Sequence, residues 1–391
     1  MKLFDSLHKD KQTVLVVNGY NATNGGGLRI FQGLISYLGG LSQEGVCTQP
    51  IIIFSPRHVD LFIEKAYKLG MNVIVYSPTG IQLIDQILLY YFYLPIRAFL
   101  AQKSECLLNL GDLIVPCVSR QIYYLDWPYA IQEAKDIWQK MNFIQRIYRL
   151  SKLSNIKIFV NVPRVMIVQS QFVANKMTLA LGRTSSVVIP CPVEKPKVLQ
   201  EYDHPGIISN NKGIYQFLCL SSFAPHKNIE ILLSVANVLK MRGIQIRIVL
   251  TLDSRLPNVN AFLKKIYQSK LSSYLRNVGP LSFDKVEDYF DCSDALLLPT
   301  KLETFGIPYV ESLARGKPIL TSDLPFAHEV CKTGTLFFDP SDPNDIANVI
   351  QKFIQNPRIE FDQSIVDRLV TECRPSNVYA EILDQVKFHD K

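Results

Sequence analysis

Short apolar runs recur along this chain, and the stretches between them carry apolar residues at helical spacing. That alternation constrains the fold more than any other feature. Val14-Leu15-Val16-Val17, Ile51-Ile52-Ile53-Phe54, Val73-Ile74-Val75-Tyr76, Cys106-Leu107-Leu108-Asn109, Gln121 to Leu125 and Val165-Met166-Ile167-Val168 read as strands. Ser186 to Val193 closes this set. Continuous apolar runs suit strands buried on both faces, so the pattern predicts a parallel sheet covered by helices. A second set follows in Phe217 to Leu220, Ile246 to Leu252, Ala295 to Leu298, Pro318 to Leu320 and Leu336 to Phe338. Between the sets, the Pro- and Asn-bearing residues 194–212 read as a linker. A helix is expected over Val259 to Leu275, and Asp339 to Asp345 should cap another reaching Ile354. The chain is therefore read as two α/β halves.

At 391 residues, 48% hydrophobic and 20% charged, the chain is long enough for two domains with ample core. Met1 to Asp5 is not followed by an apolar run, so no signal peptide is expected. The greasiest segment, Ile81 to Leu100, is bracketed by Asp85 and Arg97 and broken by Pro95. It reads as a core helix too short between charges to span a bilayer. Eight cysteines without C-x-x-C or metal-like spacing read as reduced thiols, which predicts a cytoplasmic protein.

The net charge of +7 is uneven. Residues 1–190 hold 19 Lys and Arg against 11 Asp and Glu, and from Ile137 to Pro190 there are eight bases and no acid. Such an excess favours an anionic partner: nucleic acid, a phospholipid surface or a diphosphate-bearing substrate. Nucleic acid is disfavoured, because no reading module accompanies the bases. Phe143, Ile144, Ile147, Leu150 and Leu153 repeat at helical spacing against Arg146, Arg149 and Lys152. That pattern fits either a surface helix with a core face or a membrane-surface contact.

The stretch Pro299 to Pro318 concentrates chemistry. It opens where the run Ala295 to Leu298 ends, Gly306 ends its loop, Pro308 suits a first helical turn, and Gly316 suits a helix end. Glu303 thus falls in a loop at the C-terminal end of a strand, and Glu311 inside the next helix. Two carboxylates beside backbone N–H groups at a helix start suit a ligand rich in hydroxyls that also carries phosphate. In the first half, Asn18 to Gly27 is a turn-rich loop with three glycines, followed by a helix from Leu28 to Leu38. Glycines there let a ligand approach the backbone closely. Neither G-x-G-x-x-G nor a Walker-type G-x-x-x-x-G-K-[ST] occurs, which disfavours dinucleotide and P-loop readings.

The string Glu303-Thr304-Phe305-Gly306-Ile307-Pro308-Tyr309-Val310-Glu311, continuing to Pro318, resembles the E-x7-E signature of retaining GT-B glycosyltransferases of family four, which build bacterial polysaccharide and lipopolysaccharide. Asp294 to Pro299, Thr321 to Pro325 and Phe338 to Pro340 fall in the order expected of that family. The resemblance implies two Rossmann-like domains with parallel sheets facing each other across a cleft. Residues 1–195 would form the acceptor side and 196–374 the nucleotide-sugar side. A C-terminal helix, about residues 375–391, would pack back on the first domain.

On this resemblance Glu311 would hold the nucleotide ribose hydroxyls, and Glu303 would face the donor sugar. Backbone N–H groups at Thr304, Phe305, Gly306 and Ile307 would meet sugar or diphosphate oxygens. Lys227, in Pro225-His226-Lys227-Asn228, matches the family's diphosphate lysine and would neutralise the leaving group. Gly26 and Gly27 match a first-half loop near diphosphate and acceptor. Two positions depart from the pattern. Ser222 stands where relatives carry an arginine, so charge stabilisation would lean on Lys227, with His226 or Arg315 as helpers. Asp126 aligns where many relatives carry a histidine, and its carboxylate would orient the donor sugar or the acceptor.

The implied reaction moves a hexosyl residue from a UDP- or GDP-linked sugar to a glycan or polyprenyl-diphosphate-linked acceptor, with retention. Neither cofactor nor metal is implied. The basic first half would bring the protein to the inner membrane face. A nucleotide-sugar 2-epimerase and a non-catalytic nucleotide-sugar-binding protein stand as alternatives.

Overall fold

The structure is a computed structural model that describes residues 14–387, apart from 23–24, 45–49, 56–63, 65, 102–104, 132–134, 140, 184–185 and 197–212. Most of the linker expected over 194–212 lies outside the described residues. Two compact units divide the chain. The first takes residues 1–133, 142–192 and 375–391, and the second takes 134–141 and 193–374.

The first unit is built on β1 (Val14–Asn18), β2 (Ile51–Ser55), β3 (Asn72–Val75), β4 (Glu105–Asn109), β5 (Gln121–Tyr124), β6 (Val165–Val168) and β7 (Val187–Val188). Their spatial order is β3-β2-β1-β4-β5-β6-β7, and every pairing is parallel. β1 sits centrally, with Leu15 opposite Ile51 on one side and Cys106 on the other. Val16 and Val17 are buried, as a doubly covered parallel strand requires.

The second unit repeats the scheme with β8 (Tyr215–Cys219), β9 (Ile246–Leu250), β10 (Leu275–Asn277), β11 (Ala295–Leu298), β12 (Ile319–Ser322) and β13 (Thr335–Phe338), in the order β10-β9-β8-β11-β12-β13 and again all parallel. Both sheets are thus doubly wound in the Rossmann manner. In each the strand order reverses direction once, between β1 and β4 and between β8 and β11. Sheets of this kind bind ligands outside the carboxyl ends of the strands flanking that reversal. Topology alone therefore nominates the loops after β1 and β4, and those after β8 and β11.

Three expectations about helices change. The helix expected from Leu28 begins at Gly25, so α1 (Gly25–Gln43) holds all three glycines in its first turn. The helix expected over Val259 to Leu275 ends at Gln268. Lys270 adopts a positive φ of 54° there and turns the chain into β10. The greasy segment is not wholly a core helix. It forms α2 (Gln82–Leu88), a π-helical turn (Leu89–Tyr93) and α3 (Leu94–Ala101). Leu89, Tyr90 and Leu94 enter the core beside Val16, Phe54 and Leu107, while Phe92, Ile96, Phe99 and Leu100 are exposed.

Two further helices of the first unit follow later in the chain, Phe143–Phe159 and Pro375–Lys387. α4 (Phe143–Phe159) starts with a capping box, in which the Asn142 side chain accepts from the Gln145 N–H and the Gln145 side chain accepts from the Asn142 N–H. α5 (Pro375–Lys387) packs on α1, where the Tyr379 hydroxyl donates to the Ile30 carbonyl at 3.3 Å. Gly33 makes room for that hydroxyl, because a Cβ there would lie 1.9 Å from it.

Candidate functional site

In the second unit the chain leaves β8, passes Ser221 and Ser222, and closes a 3-10 turn at Pro225–Lys227. Asn228 follows with a positive φ of 55°, a conformation Asn tolerates better than most side chains. Its amide donates to the carbonyls of Pro299 at 3.2 Å and Pro340 at 2.7 Å. The His226 carbonyl in turn accepts from the Lys301 N–H at 2.7 Å and the Thr300 hydroxyl at 3.2 Å. Three of these hydrogen bonds fasten the turn after β8 to the loop after β11, at the point where the strand order reverses, and the fourth ties it to the segment after β13.

That fastening brings Lys227 to Glu303. The Lys227 Nζ lies 2.5 Å from Glu303 Oε1, although 76 residues separate them in sequence. Both side chains are mostly withdrawn from water, with 22% and 10% of each exposed. A charge-assisted pair at this distance is strong, and each group offsets the desolvation of the other. Most of the ammonium's donor capacity and one carboxylate oxygen remain for a ligand.

The remaining loop is shaped by one glycine. Gly306 has φ of 90°, and a Cβ there would fall 2.4 Å from the Tyr309 ring. No other residue satisfies both conditions. Tyr309 is itself pinned, its hydroxyl 2.8 Å from Thr321 Oγ1 on β12. Ile307 opens a short helix, α6 (Ile307–Leu313), with Pro308 in its first turn. Glu311 lies buried within α6, Phe305 is buried, and Thr304 is partly exposed. One turn after Glu311, Arg315 pairs with Glu287 at 3.1 Å and stacks over Phe290. Its guanidinium also donates to the Glu311 carbonyl at 3.1 Å, which holds it beside α6. Ser222 is exposed and adds no charge.

The first unit gathers a different set. Asp126 follows β5, and Gly27 lies in the first turn of α1. A Cβ at position 27 would sit 2.7 Å from Asp126 Oδ2. Gly27 therefore serves to admit the carboxylate to the positive end of α1, where the sequence suggested a turn-rich loop open to a ligand. Gly26 is exposed beside it. Burial pushes the Asp126 carboxyl up to about 7, with the nearby Asp112 carboxylate adding to the effect and Lys152 opposing it. Lys152 pairs directly with Asp112. Burial opposes the charge on Lys152, but the Asp112 carboxylate and the Tyr148 hydroxyl together outweigh it and raise the ammonium's pKa.

Sequence reasoning missed Asn228, Thr300, Asp112 and Lys152. Asn228 carried a signal, since Asn after Pro-His-Lys suits a left-handed position. Lys152 carried none, because a base on an amphipathic helix looks solvated until the fold is known.

A model of the Glycosyl transferases group 1 family matches residues 203–368. Over 335 residues, covering 85% of this chain and 88% of the relative, the sequence is 23% identical to the O-antigen chain mannosyltransferase RfbU of Salmonella typhimurium. Among solved structures, Anabaena HepE in complex with UDP-glucose superposes with a TM-score of 0.66 at 14% identity, over 96% of this chain and 99% of that one. A glycosyltransferase from Rickettsia africae gives 0.65 at 16% identity, over 98% of this chain and 100% of that one. These structural likenesses show the fold. The family match falls on the unit that holds Lys227, Glu303 and Glu311. The chain thus carries a glycosyl transferases group 1 domain within a GT-B fold, and it is a glycosyltransferase.

Proposed function

We propose that this enzyme moves a hexosyl residue from a nucleotide-diphosphate sugar to a glycan or lipid-linked acceptor, with retention, in cell-surface polysaccharide synthesis. The observation that carries this reading is the Lys227–Glu303 pair, held 2.5 Å apart where the strand order reverses, with Glu311 buried eight residues on. The O-antigen role in the name of the RfbU relative supports the pathway class. HepE, solved with UDP and glucose, supports a nucleotide-sugar donor.

In this reading Glu311 accepts hydrogen bonds from the ribose hydroxyls. The Lys227 ammonium turns from Glu303 to the diphosphate and neutralises the charge that develops as the leaving group departs. Glu303, released, accepts from hydroxyls of the donor sugar. The acceptor hydroxyl attacks the anomeric carbon on the face the diphosphate leaves, and a leaving phosphate oxygen takes its proton.

The test is a panel of UDP- and GDP-linked hexoses scored by protection against thermal unfolding. The protecting donors are then given a polyprenyl-diphosphate-linked glycan, and the anomeric configuration of the product is read by NMR. Protection by one donor class and a product of retained configuration support the proposal. An inverted product, or no donor that protects or turns over, overturns it.

A further inference from the structure

Helix α4 of the first unit exposes the apolar residues of its first two turns and buries Lys152, Asn155 and Ile156 further along. Its apolar residues Phe143, Ile144, Ile147 and Leu150 are exposed, Phe143 by 75% and Ile144 by 77%, while Lys152 is 7% exposed and Asn155 is buried too. A helix serving only the core would show the reverse. The segment α2–α3 lies alongside. The Tyr148 hydroxyl donates to Gln86 Oε1 at 3.3 Å, and the Asn155 amide donates to the Tyr91 hydroxyl at 2.8 Å. Bridged at two points, the two helical stretches present their apolar sides together. Leu83, Ile87, Phe92, Ile96, Phe99 and Leu100 are exposed on the second, Phe99 by 81%.

Singly scattered exposed apolar residues are ordinary, but ten of them on two helical stretches bridged to each other mark a contact surface. Leu83–Ala101 is long and apolar enough to cross a bilayer by composition. Leu89, Tyr90 and Leu94, however, are locked into the core against the sheet, so the segment lies on the unit and cannot leave it to span. The electrostatics name the partner. α4 and the helix Gln171–Leu181 carry Arg146, Arg149, Lys157 and Lys176, and no acid occurs from Ile137 to Pro190. On α2–α3 the one acid, Asp85, is buried and accepts four hydrogen bonds from Ser77, Thr79 and Gly80. Exposed aromatic and aliphatic side chains beside bases without acids fit the interface of an anionic lipid bilayer.

We infer that the outer faces of α2–α3 and α4 form a docking surface for an anionic phospholipid membrane. The surface adjoins the candidate site in the first unit, because the same α4 that points Phe143 and Ile144 outward sends Lys152 inward to Asp112. An acceptor anchored in lipid would therefore reach Asp126 from the membrane side. The docking itself does not rest on the catalytic reading and is measured without donor or acceptor.

The experiment is flotation of the full chain with vesicles of phosphatidylcholine alone and with about a third phosphatidylglycerol, at low and high salt. The chain should float with the anionic vesicles and be released by salt. Phe99→Ser with Leu100→Ser should weaken binding about ten-fold or more without lowering the melting temperature, since both side chains are exposed. Lys157→Gln with Lys176→Gln should weaken it several-fold, and serves if the first pair disturbs folding. Equal binding to neutral vesicles, or unchanged binding by both variants, overturns the inference. So does a dimer in light scattering that the Phe99 and Leu100 changes dissociate while vesicle binding is absent.

Discussion

The two units share one architecture and use it in opposite ways. In the second, the loops flanking the strand-order reversal are stitched together by hydrogen bonds onto main-chain carbonyls, donated by the Lys301 N–H, the Asn228 amide and the Thr300 hydroxyl, and the ionic pair is a product of that stitching. In the first, the corresponding region is assembled from the side chains of Asp112 after β4, Asp126 after β5 and Lys152 on α4, with Gly27 on α1 leaving room for Asp126. The contrast separates a site made by backbone geometry from one made by packing. A backbone-built site must keep its glycine and asparagine at fixed positions, which leaves a local string. A packing-built site leaves no string, because its members need only end up adjacent.

If that contrast is right, the largest effects belong to the second unit. Lys227→Ala should cut turnover about 100-fold or more with a smaller change in donor affinity, and unchanged turnover in steady-state kinetics would remove Lys227 from the leaving-group site. Glu311→Ala should weaken nucleotide binding about ten-fold or more, as the loss of a charged acceptor for hydroxyl donors. Calorimetry giving wild-type affinity would break the placement. Gly306→Ala meets both a φ of 90° and the Tyr309 ring. It should cost about 1–3 kcal/mol and distort the loop, so denaturant unfolding and donor affinity should fall together. A variant as stable as the wild type would show that the loop tolerates another backbone path.

The first unit offers the smallest and most diagnostic test. The Asp126 carboxyl titrates near 7 in the folded chain and near the ordinary carboxylate value when unfolded. Between those two pH values the folded state holds the extra proton, so stability is highest below the lower one and declines as pH rises toward about 7. Asp126→Asn should flatten that decline in thermal melts across the same range. An identical slope in wild type and variant would detach Asp126 from the buried cluster.

Much of the second site was legible because its constraints are local. The Glu303 to Glu311 spacing, Gly306 and Pro308 describe a strand–loop–helix corner in consecutive residues, and the structure keeps that corner where the string places it. Arg315 reads as an available cation in the same string, yet its pairing with Glu287 depends on a helix more than twenty residues away in sequence. The glycines at 25–27 read as a loop because three glycines rarely open a helix. Only the approach of Asp126 explains why the first turn needs them.

The sequence by itself determined the class of the chain: two doubly wound parallel sheets, with a strand–loop–helix corner carrying two carboxylates after one strand of the second. Periodicity and turn chemistry act over a few residues, and those suffice for strands, caps and loops. Tertiary structure decided which faces of α2, α3 and α4 meet water, which bases are tied up, and which acid is pushed toward neutrality. An amphipathic pattern has two faces but no sign, and only packing against a sheet says which of them turns inward.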